Sequence, residues 1–470
     1  MPDNITDSLR HSSLERYLNI FAKVEPKEGI TSLLLILNIF FILVAYYFIK
    51  PVREGWLSVS VVADWSKLEV KAYSAFGQSL LLLVVLPVYA IVAKLISRRQ
   101  LITVTGITAS CLMLLFWLMQ PGILADRIPY SGVLFYIFVG IFSVTLVAQF
   151  WSFASDLYGL DRGKRLFPLI AVGASAGALV GSWSGERLIR LSWVSAFDLI
   201  LYAIVPVLLS VALARKIDQR GTEGQPTDKT VERWNQPAAP EGEGSFQQIW
   251  NHRYLSATAL LVLLFSWVVT SGDNILFGLV QEALVVELPA NLAPAAYSDL
   301  LKESTTAFYS GLYFWVNLIG LFLQAFIVSR LVRLGGFTLL VIATPLISLT
   351  AYMSMAIAPV IGIIKAMKIA ENSSIYSINN TARNMLWLPA SKSMLYQAKT
   401  TVDTLFVRIG DGLAALTVLL GTRVLHLTVI QFLIINIFLV LVWLLLTFFI
   451  SKEYRRWGEQ YREKQEVPGY

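Results

Sequence analysis

The sequence predicts an all-α polytopic membrane protein with twelve transmembrane helices in two six-helix bundles. Of its 470 residues, 56% are hydrophobic and only 15% are charged, whereas soluble proteins carry about 25% charged residues. The charged residues fall between long uncharged runs, and a run of about 20 apolar residues is enough to cross a bilayer as a helix. These observations exclude a multi-domain soluble enzyme and a collagenous or disordered chain.

The uncharged runs place the predicted spans in order. The first half holds residues 29–49, 72–93, 100–125, 128–155, 166–185 and 191–214, and the second half holds residues 254–281, 304–329, 337–357, 359–382, 401–425 and 429–450. Between the halves, residues 215–253 are charged and rich in Pro and Gly, which is typical of a flexible linker. We therefore expect a bundle at 29–214, a cytoplasmic linker at 215–253, a second bundle at 254–450 and a tail at 451–470. Within the segment 1–28, the spacing of Leu14, Tyr17, Leu18 and Phe21 predicts a short helix lying in the membrane interface.

The distribution of Lys and Arg predicts the orientation. Counted by alternate sides of the predicted spans, 26 of these residues lie on one side, 9 on the other and 3 inside spans. Positive charge is retained on the cytoplasmic side, so both termini are predicted to be cytoplasmic. Because the basic residues follow the membrane side, we expect a lipid bilayer and no nucleic acid as a partner of the chain.

The sequence predicts no metal, no cofactor and no enzymatic centre. The single cysteine, Cys111, lies in an uncharged run and is expected to be a core residue, and the three histidines are scattered. Walker and HExxH motifs are absent from the sequence. Six spans, a cytoplasmic linker and six more spans are the organisation of the major facilitator fold, although a fold alone does not name a substrate.

Polar residues concentrate in the tenth predicted span. An ionisable group inside a span costs about 3 kcal/mol on insertion scales, so its presence indicates a partner, a water-filled cavity or a function. Five polar residues recur at steps of three or four, which predicts one helix face lining a substrate pathway: Lys365, Lys368, Asn372, Tyr376 and Asn379. The alternatives are a cytoplasmic loop taken for a span, and a Lys368 to Glu371 ion pair that only neutralises itself.

The end of the first span carries a second basic motif, with Lys50 and Arg53 on either side of Pro51. One interpretation is a helix that breaks at Pro51, so that both cations face a cavity. The other is that Lys50 snorkels to the outer surface while Arg53 pairs with Glu54 or a lipid phosphate. The sequence leaves both open.

Further candidate residues lie in the seventh and eleventh spans. Asp273 is a candidate proton-coupling carboxylate if burial raises its pKa, and a paired or capping role is the alternative. In the eleventh span the spacing of Lys399 with Asp403, and of Arg408 with Asp411, predicts neutralised pairs buried between helices.

Four glycines in the fifth span recur every four residues: Gly173, Gly177, Gly181 and Gly185. Glycines at this spacing allow the backbone of another helix to approach closely. We therefore predict close helix packing along this face.

Three blocks of the sequence resemble a known family. Residues 150–158 and 164–169, followed by the glycines from Gly173, are similar to the stretch that joins the fourth and fifth spans of the ATP/ADP translocase family of plastids and intracellular bacteria. Residues 46–54 are similar to the basic motif that closes the family's first span. The most specific block resembles the family's tenth-to-eleventh span signature: residues 374–377, 383–389 and 396–399 with Asp403, Arg408, Gly410 and Asp411.

This resemblance implies a major-facilitator-like transporter of a divergent bacterial branch, in the inner membrane, which exchanges ATP for ADP and phosphate without hydrolysis. It implies that Lys50, Arg53 and the region of Lys399 neutralise the phosphates, and that acidic residues act in gating or discrimination. This chain departs from the family's pattern around Val139 and Gly278, which are apolar or small where characterised members carry acids, and at Asn384. These departures leave the fold expectation intact and the substrate open.

We therefore expect a transporter that moves an anionic nucleotide or another phosphorylated small molecule by alternating access. The expected substrate contacts are Lys50, Arg53, Lys365, Lys368, Asn372, Tyr376 and Asn379, and the expected coupling or gating residues are Asp273, Glu371, Arg383, Lys399, Asp403, Arg408 and Asp411. Two alternatives stay open. One is a proton-coupled facilitator for a non-nucleotide solute, and the other is a non-transporting membrane protein in which the charge pairs only fix helix packing.

Overall fold

A computed structural model describes residues 15, 24–25, 28–124, 128, 130–191, 193–222, 245–289, 291–388 and 398–466. The described residues are almost entirely helical, which confirms the all-α prediction. The predicted interfacial helix (apart from residue 15), residues 223–244 of the predicted linker and residues 467–470 of the tail lie outside the described residues.

The helices follow the apolar runs of the sequence. In the first half they are α1 (Gly29–Val59), α2 (Lys67–Leu95), α3 (Arg98–Leu118), α4 (Ser131–Ile189) and α5 (Asp198–Thr222). In the second half they are α6 (Ser245–Asn251), α7 (Arg253–Glu287), α8 (Pro294–Phe322), α9 (Val328–Ile357), α10 (Ile361–Ser374), α11 (Asn380–Met385), α12 (Ala398–Thr401), α13 (Val407–Arg423) and α14 (Val429–Glu466). Short π-helical turns at Leu323–Ile327, Ile375–Asn379 and Val402–Phe406 join α8 to α9, α10 to α11 and α12 to α13.

Ten helical stretches of the described chain are long and apolar enough to cross a membrane. One of them, Pro294–Ile357, contains 64 residues and covers the predicted eighth and ninth spans together. The polar tenth predicted span is not among the ten, although its residues are helical in α10, the following π turn and α11. The count is therefore compatible with the predicted twelve spans.

The chain forms two compact units. Unit 1 contains residues 1–60, 84–236 and 298–314, and unit 2 contains residues 61–83, 237–297 and 315–470. Both α2 and α8 are divided between the units. The division into bundles at 29–214 and 254–450 remains a prediction.

Unit 1 packs around α1. Aromatic side chains from α1, α4 and the turn before α5 meet at its core, where the Trp56 ring lies 5.1 Å from Phe135 and 4.7 Å from Phe197 between ring centroids. Helix α1 continues through Pro51 to Val59, so the interpretation in which the helix breaks at Pro51 is wrong. The proline lacks one backbone donor, but here its missing hydrogen bond does not end the helix.

The glycines of α4 confirm the predicted close packing. A Cβ at Gly173 would lie 2.5 Å from the carbonyl oxygen of Ile36, and a Cβ at Gly177 would lie 2.3 Å from that of Phe40. Only glycine allows the backbones of α1 and α4 to approach to this distance.

The environment of Cys111 differs from the prediction. Its side chain is exposed on α3 and not part of the core, because an uncharged run does not by itself distinguish the packed face of a membrane helix from its outer face.

Candidate functional site

Lys50 lies inside unit 1, and only 6% of its surface is exposed. Its ammonium nitrogen is 3.9 Å from the ring centroid of Tyr313 on α8, and 5.3 and 5.5 Å from those of Tyr47 and Tyr46 one turn earlier on α1. Aromatic faces carry negative charge density and stabilise a cation that has lost water. Lys50 therefore does not snorkel to an outer surface, and a cluster of tyrosines surrounds it.

Arg53, one turn further along α1, has both an acidic and an aromatic partner. Its Nε donates to Glu54 Oε1 at 3.0 Å, and its guanidinium lies 4.5 Å from the ring centroid of Tyr136. The pairing of Arg53 with Glu54 is one of the two sequence interpretations of this residue. Together the three charged residues at positions 50, 53 and 54 carry one more positive charge than negative.

Unit 2 contains a buried cluster of charged residues centred on Lys368. The ammonium nitrogen lies 2.7 Å from Glu371 Oε2 within α10 and 3.2 Å from Asp273 Oδ1 on α7. The side chains of Lys368 and Glu371 are completely buried, whereas that of Asp273 is 50% exposed. The predicted pair of Lys368 with Glu371 is therefore present, and Asp273 is added from another helix.

Tyr352 of α9 supports the other side of Glu371, because its hydroxyl donates to Glu371 Oε1. Gly272 makes room for this hydroxyl, since a Cβ at that position would overlap the Tyr352 oxygen. Three helices thus hold the Glu371 carboxylate and the Lys368 ammonium in one arrangement.

The remaining polar residues of the predicted tenth span differ in burial. Asn372 and Asn379 are buried, Lys365 is partly exposed, and 47% of the surface of Tyr376 is exposed. The π turn Ile375–Asn379 changes the helical period from 3.6 residues within the predicted face. That this face lines a substrate pathway remains a prediction.

Asp411 of α13 is the centre of a second polar cluster in unit 2. Its carboxylate accepts hydrogen bonds from Ser79 on α2, from Ser266 and Thr270 on α7, and from Arg408 one turn earlier on α13, at 2.6 to 3.1 Å. This confirms the predicted pair of Arg408 with Asp411 and shows that it joins three helices.

A third cluster in unit 2 joins Arg383 of α11 to the π turn at 402–406. Asp403 accepts from Arg383 at 2.7 Å and lies 3.2 Å from Lys399. The predicted pair of Lys399 with Asp403 is confirmed, but both side chains are about one-third exposed instead of buried. Such a partly exposed pair contributes little to stability, ~0–1 kcal/mol.

Sequence reasoning missed several buried charges. Lys302 in unit 1 is paired with Asp299 at 2.8 Å, and Lys71 in unit 2 lies over the Phe277 ring. Both lysines lie at predicted span ends, where the count of positive charges placed them with the outer loops. Charged residues lie near both lysines in the sequence, so the local pattern gave no signal of their burial.

Outside the spans, Asp64 forms a pair with Arg423 at 2.7 Å. The hydrogen bond that Arg423 donates holds the pKa of the Asp64 carboxyl below its ordinary value.

Within the described residues, no group of three histidine, cysteine or acidic side chains is arranged to hold a metal ion.

Comparison with known proteins finds sequence relatives and solved structures with a similar fold. No protein-family model matches the chain. It is 23% identical over 328 residues to ADP,ATP carrier protein 1 of Chlamydia trachomatis serovar D, and 22% identical over 328 residues to that of Chlamydia muridarum. Each match covers 62% of this chain and 58% of the carrier protein, so the chain spans less than two thirds of the length of these relatives.

Solved transporter structures share its fold. The nucleoside transporter NupG has a TM-score of 0.58 at 12% identity, with 89% of this chain and 99% of that one covered. A D-xylose-proton symporter has a TM-score of 0.58 at 14% identity, with 89% and 97% covered. A POT family peptide transporter has a TM-score of 0.55 at 14% identity, with 91% and 96% covered.

These findings define a polytopic membrane protein with the fold of the major facilitator transporters. The sequence matches are consistent with a divergent member of the ATP/ADP translocase family, as the sequence blocks predict.

Proposed function

We propose that this protein is a transporter that exchanges an anionic, phosphorylated small molecule, with nucleotides as the first candidates, by alternating access. The observation that carries the proposal is the burial of cations inside apolar helices. Lys50 in unit 1 is 6% exposed and Lys368 in unit 2 is fully buried. The similarity to ADP,ATP carrier proteins supports the substrate class.

The chemistry of these cations suits a phosphate. An ionisable group in a membrane helix is costly and is therefore retained where it serves a function. Lys ammonium groups and Arg guanidinium groups form charge-assisted hydrogen bonds with phosphate oxygens and replace the water that the anion loses. The tyrosines around Lys50 stabilise its ammonium group inside unit 1.

In this proposal the basic and amide side chains contact the substrate and the charge pairs act in coupling or gating. The substrate contacts are Lys50, Arg53, Lys365, Lys368, Asn372, Tyr376 and Asn379, and the coupling or gating residues are Asp273, Glu371, Arg383, Lys399, Asp403, Arg408 and Asp411. We further propose a bacterial inner membrane location on the basis of the similarity to ADP,ATP carrier proteins. The charge distribution supports both termini in the cytoplasm.

A thermal-shift screen of the detergent-purified protein tests the substrate class. A ligand at 100 times its dissociation constant stabilises the native state by about 2.7 kcal/mol. We expect stabilisation by ATP, ADP or other phosphate esters and not by the matching unphosphorylated compounds. Stabilisation only by unphosphorylated compounds, or by no compound in the panel, would contradict the proposal.

Variants at Lys50 test the binding role in the same assay. Lys50→Gln is expected to weaken the shift caused by the active phosphate ester, and Lys50→Arg to retain most of it because the positive charge remains. The exposed Lys452 of α14 supplies a matched control, since Lys452→Gln removes the same charge from the surface. An unchanged ligand response in Lys50→Gln would remove Lys50 from the site.

The cluster around Lys368 favours one second candidate, a proton-coupled facilitator. Lys368 faces two carboxylates, Asp273 and Glu371, so one proton would neutralise the group as a whole. In that case Asp273→Asn should uncouple uptake from an imposed proton gradient. Exchange of phosphorylated solutes would respond to the solute inside the vesicle instead.

A further inference from the structure

The two carboxylates that pair with Lys368 differ in how firmly they are held. Glu371 is completely buried, lies 2.7 Å from the ammonium nitrogen and accepts a second hydrogen bond from Tyr352. Asp273 lies further away, at 3.2 Å, and its side chain is 50% exposed. Because Lys368 itself has no exposed surface, Asp273 is the exposed member of the cluster.

We propose that Asp273 is a displaceable counter-ion, which occupies at the Lys368 ammonium the place that a phosphate oxygen of the substrate takes on binding. This inference rests on the proposed function and assigns Asp273 a role in it. An ammonium group has three donors, and a carboxylate oxygen and a phosphate oxygen are equivalent acceptors for one of them. Glu371 keeps its hydrogen bond with the Lys368 ammonium throughout. Asp273 gives up its contact with that ammonium to the phosphate oxygen.

The charge of the cluster explains why Asp273 has to leave. With both acids ionised, one ammonium faces two negative charges, so an incoming phosphate would be repelled while Asp273 remains in contact. The substrate-free protein nevertheless needs this arrangement, because a buried ammonium is stable only when it is paired and hydrogen-bonded. Glu371 cannot be exchanged as easily, since its departure would also leave the buried Tyr352 hydroxyl without its acceptor.

The difference between the two acids therefore assigns their roles. Glu371 with Tyr352 fixes the position of Lys368, and Asp273 sets how strongly an anion must compete to reach it. Asp273 is a specificity-determining residue in this sense, because a neutral solute gains nothing by displacing it, whereas an anion replaces the charge that leaves.

Calorimetric titration of the purified full chain with ATP, ADP and inorganic pyrophosphate tests the inference. Asp273→Asn removes the competing charge at constant size, and we expect it to lower the Kd for the anion that binds the unaltered protein about tenfold. Asp273→Glu keeps the competing charge and should therefore not tighten binding as Asp273→Asn does. Asp299→Asn is the matched control, because Asp299 is an exposed partner of another buried lysine, Lys302.

Each result has a distinct meaning. Tighter binding in Asp273→Asn alone supports the displaceable counter-ion. If the unaltered protein binds an anion but Asp273→Asn binds it equally or more weakly, the counter-ion is wrong while the proposed function stands. The inference is also overturned if Asp273→Glu or Asp299→Asn tightens binding as much. If neither the unaltered protein nor Asp273→Asn binds any of the three anions, the proposed function fails together with it.

Discussion

Removal of the Lys368 ammonium should be among the most destabilising single changes in unit 2. Lys368→Met retains the length of the side chain but leaves Glu371 buried without a cation. Removing one partner of a buried ion pair costs about 3–5 kcal/mol, and the complete burial of both side chains leaves no solvent to reduce this value. Asp273→Asn should cost less than about 1 kcal/mol, because the half-exposed Asp273 carboxylate is screened by solvent and Lys368 keeps its pair with Glu371.

The double variant Lys368→Met with Glu371→Gln separates pairing from packing. It removes both charges and leaves an amide oxygen to accept from Tyr352, so its loss in free energy of unfolding should be well below the sum of the two single losses. We expect a coupling energy of at least about 2 kcal/mol from this double-mutant cycle. The measurement is equilibrium unfolding of the purified protein in mixed detergent, with Lys452→Met as the surface control. If the losses of the two single variants simply add, the buried pair does not exist as described.

Three further predictions concern packing, a polar cluster and pH. Gly177→Ala places a methyl group against the α1 backbone and should lower the free energy of unfolding by about 1–3 kcal/mol. The control Gly362→Ala, in open space, should be neutral or stabilise by about 0.5–1 kcal/mol. Equal effects of the two substitutions in thermal unfolding would refute the packing. Asp411→Asn replaces a carboxylate that accepts four hydrogen bonds and should cost about 3 kcal/mol in the same assay, so an unchanged midpoint would contradict the cluster. The pKa of Asp64 is lowered in the folded protein, so its contribution to stability is present above the unfolded pKa and is lost as the pH falls through the folded pKa. Arg423→Gln should raise the Asp64 pKa towards its ordinary value, which carbon NMR of labelled aspartate would measure. An unchanged Asp64 pKa would refute this pairing.

The sequence predicts the helices well because membrane insertion depends on properties that are local in sequence. A span requires a continuous apolar run, so α1, α7 and α14 begin where the uncharged stretches begin, although α1 continues past residue 49 to Val59 and α14 past residue 450 to Glu466. Charge pairs within one helix are also local. The pairs of Lys368 with Glu371 and of Arg408 with Asp411 follow from a spacing of three residues.

The partners that join different helices were not predictable in the same way. Asp411 meets Ser79 across 332 positions of sequence, and Arg423 meets Glu69 across 354. No spacing rule connects such positions, since they meet only when helices pack. For the same reason Tyr313, the ring nearest to the Lys50 ammonium, is absent from the predicted site, whereas Tyr46 and Tyr47 lie in the first-span motif.

The exposure of individual side chains was the other property that the local sequence did not predict. Cys111 lies in an apolar run and was expected in the core, but a membrane helix is apolar on its outer face as well. The change of helical period in the π turn Ile375–Asn379 is a second feature of this kind. The residue types in that segment do not predict it.

Counterflow in reconstituted vesicles tests the central claim most directly. Vesicles that contain the protein are loaded with unlabelled ADP, or with buffer alone, and uptake of labelled ATP and ADP is followed from outside. The exchange account predicts rapid uptake into the loaded vesicles, little into the empty ones, and a loss of uptake in Lys50→Gln but not in Lys452→Gln. Equal uptake with and without internal ADP would contradict exchange, and no uptake of any phosphorylated solute that is also supplied inside would contradict the proposed function itself.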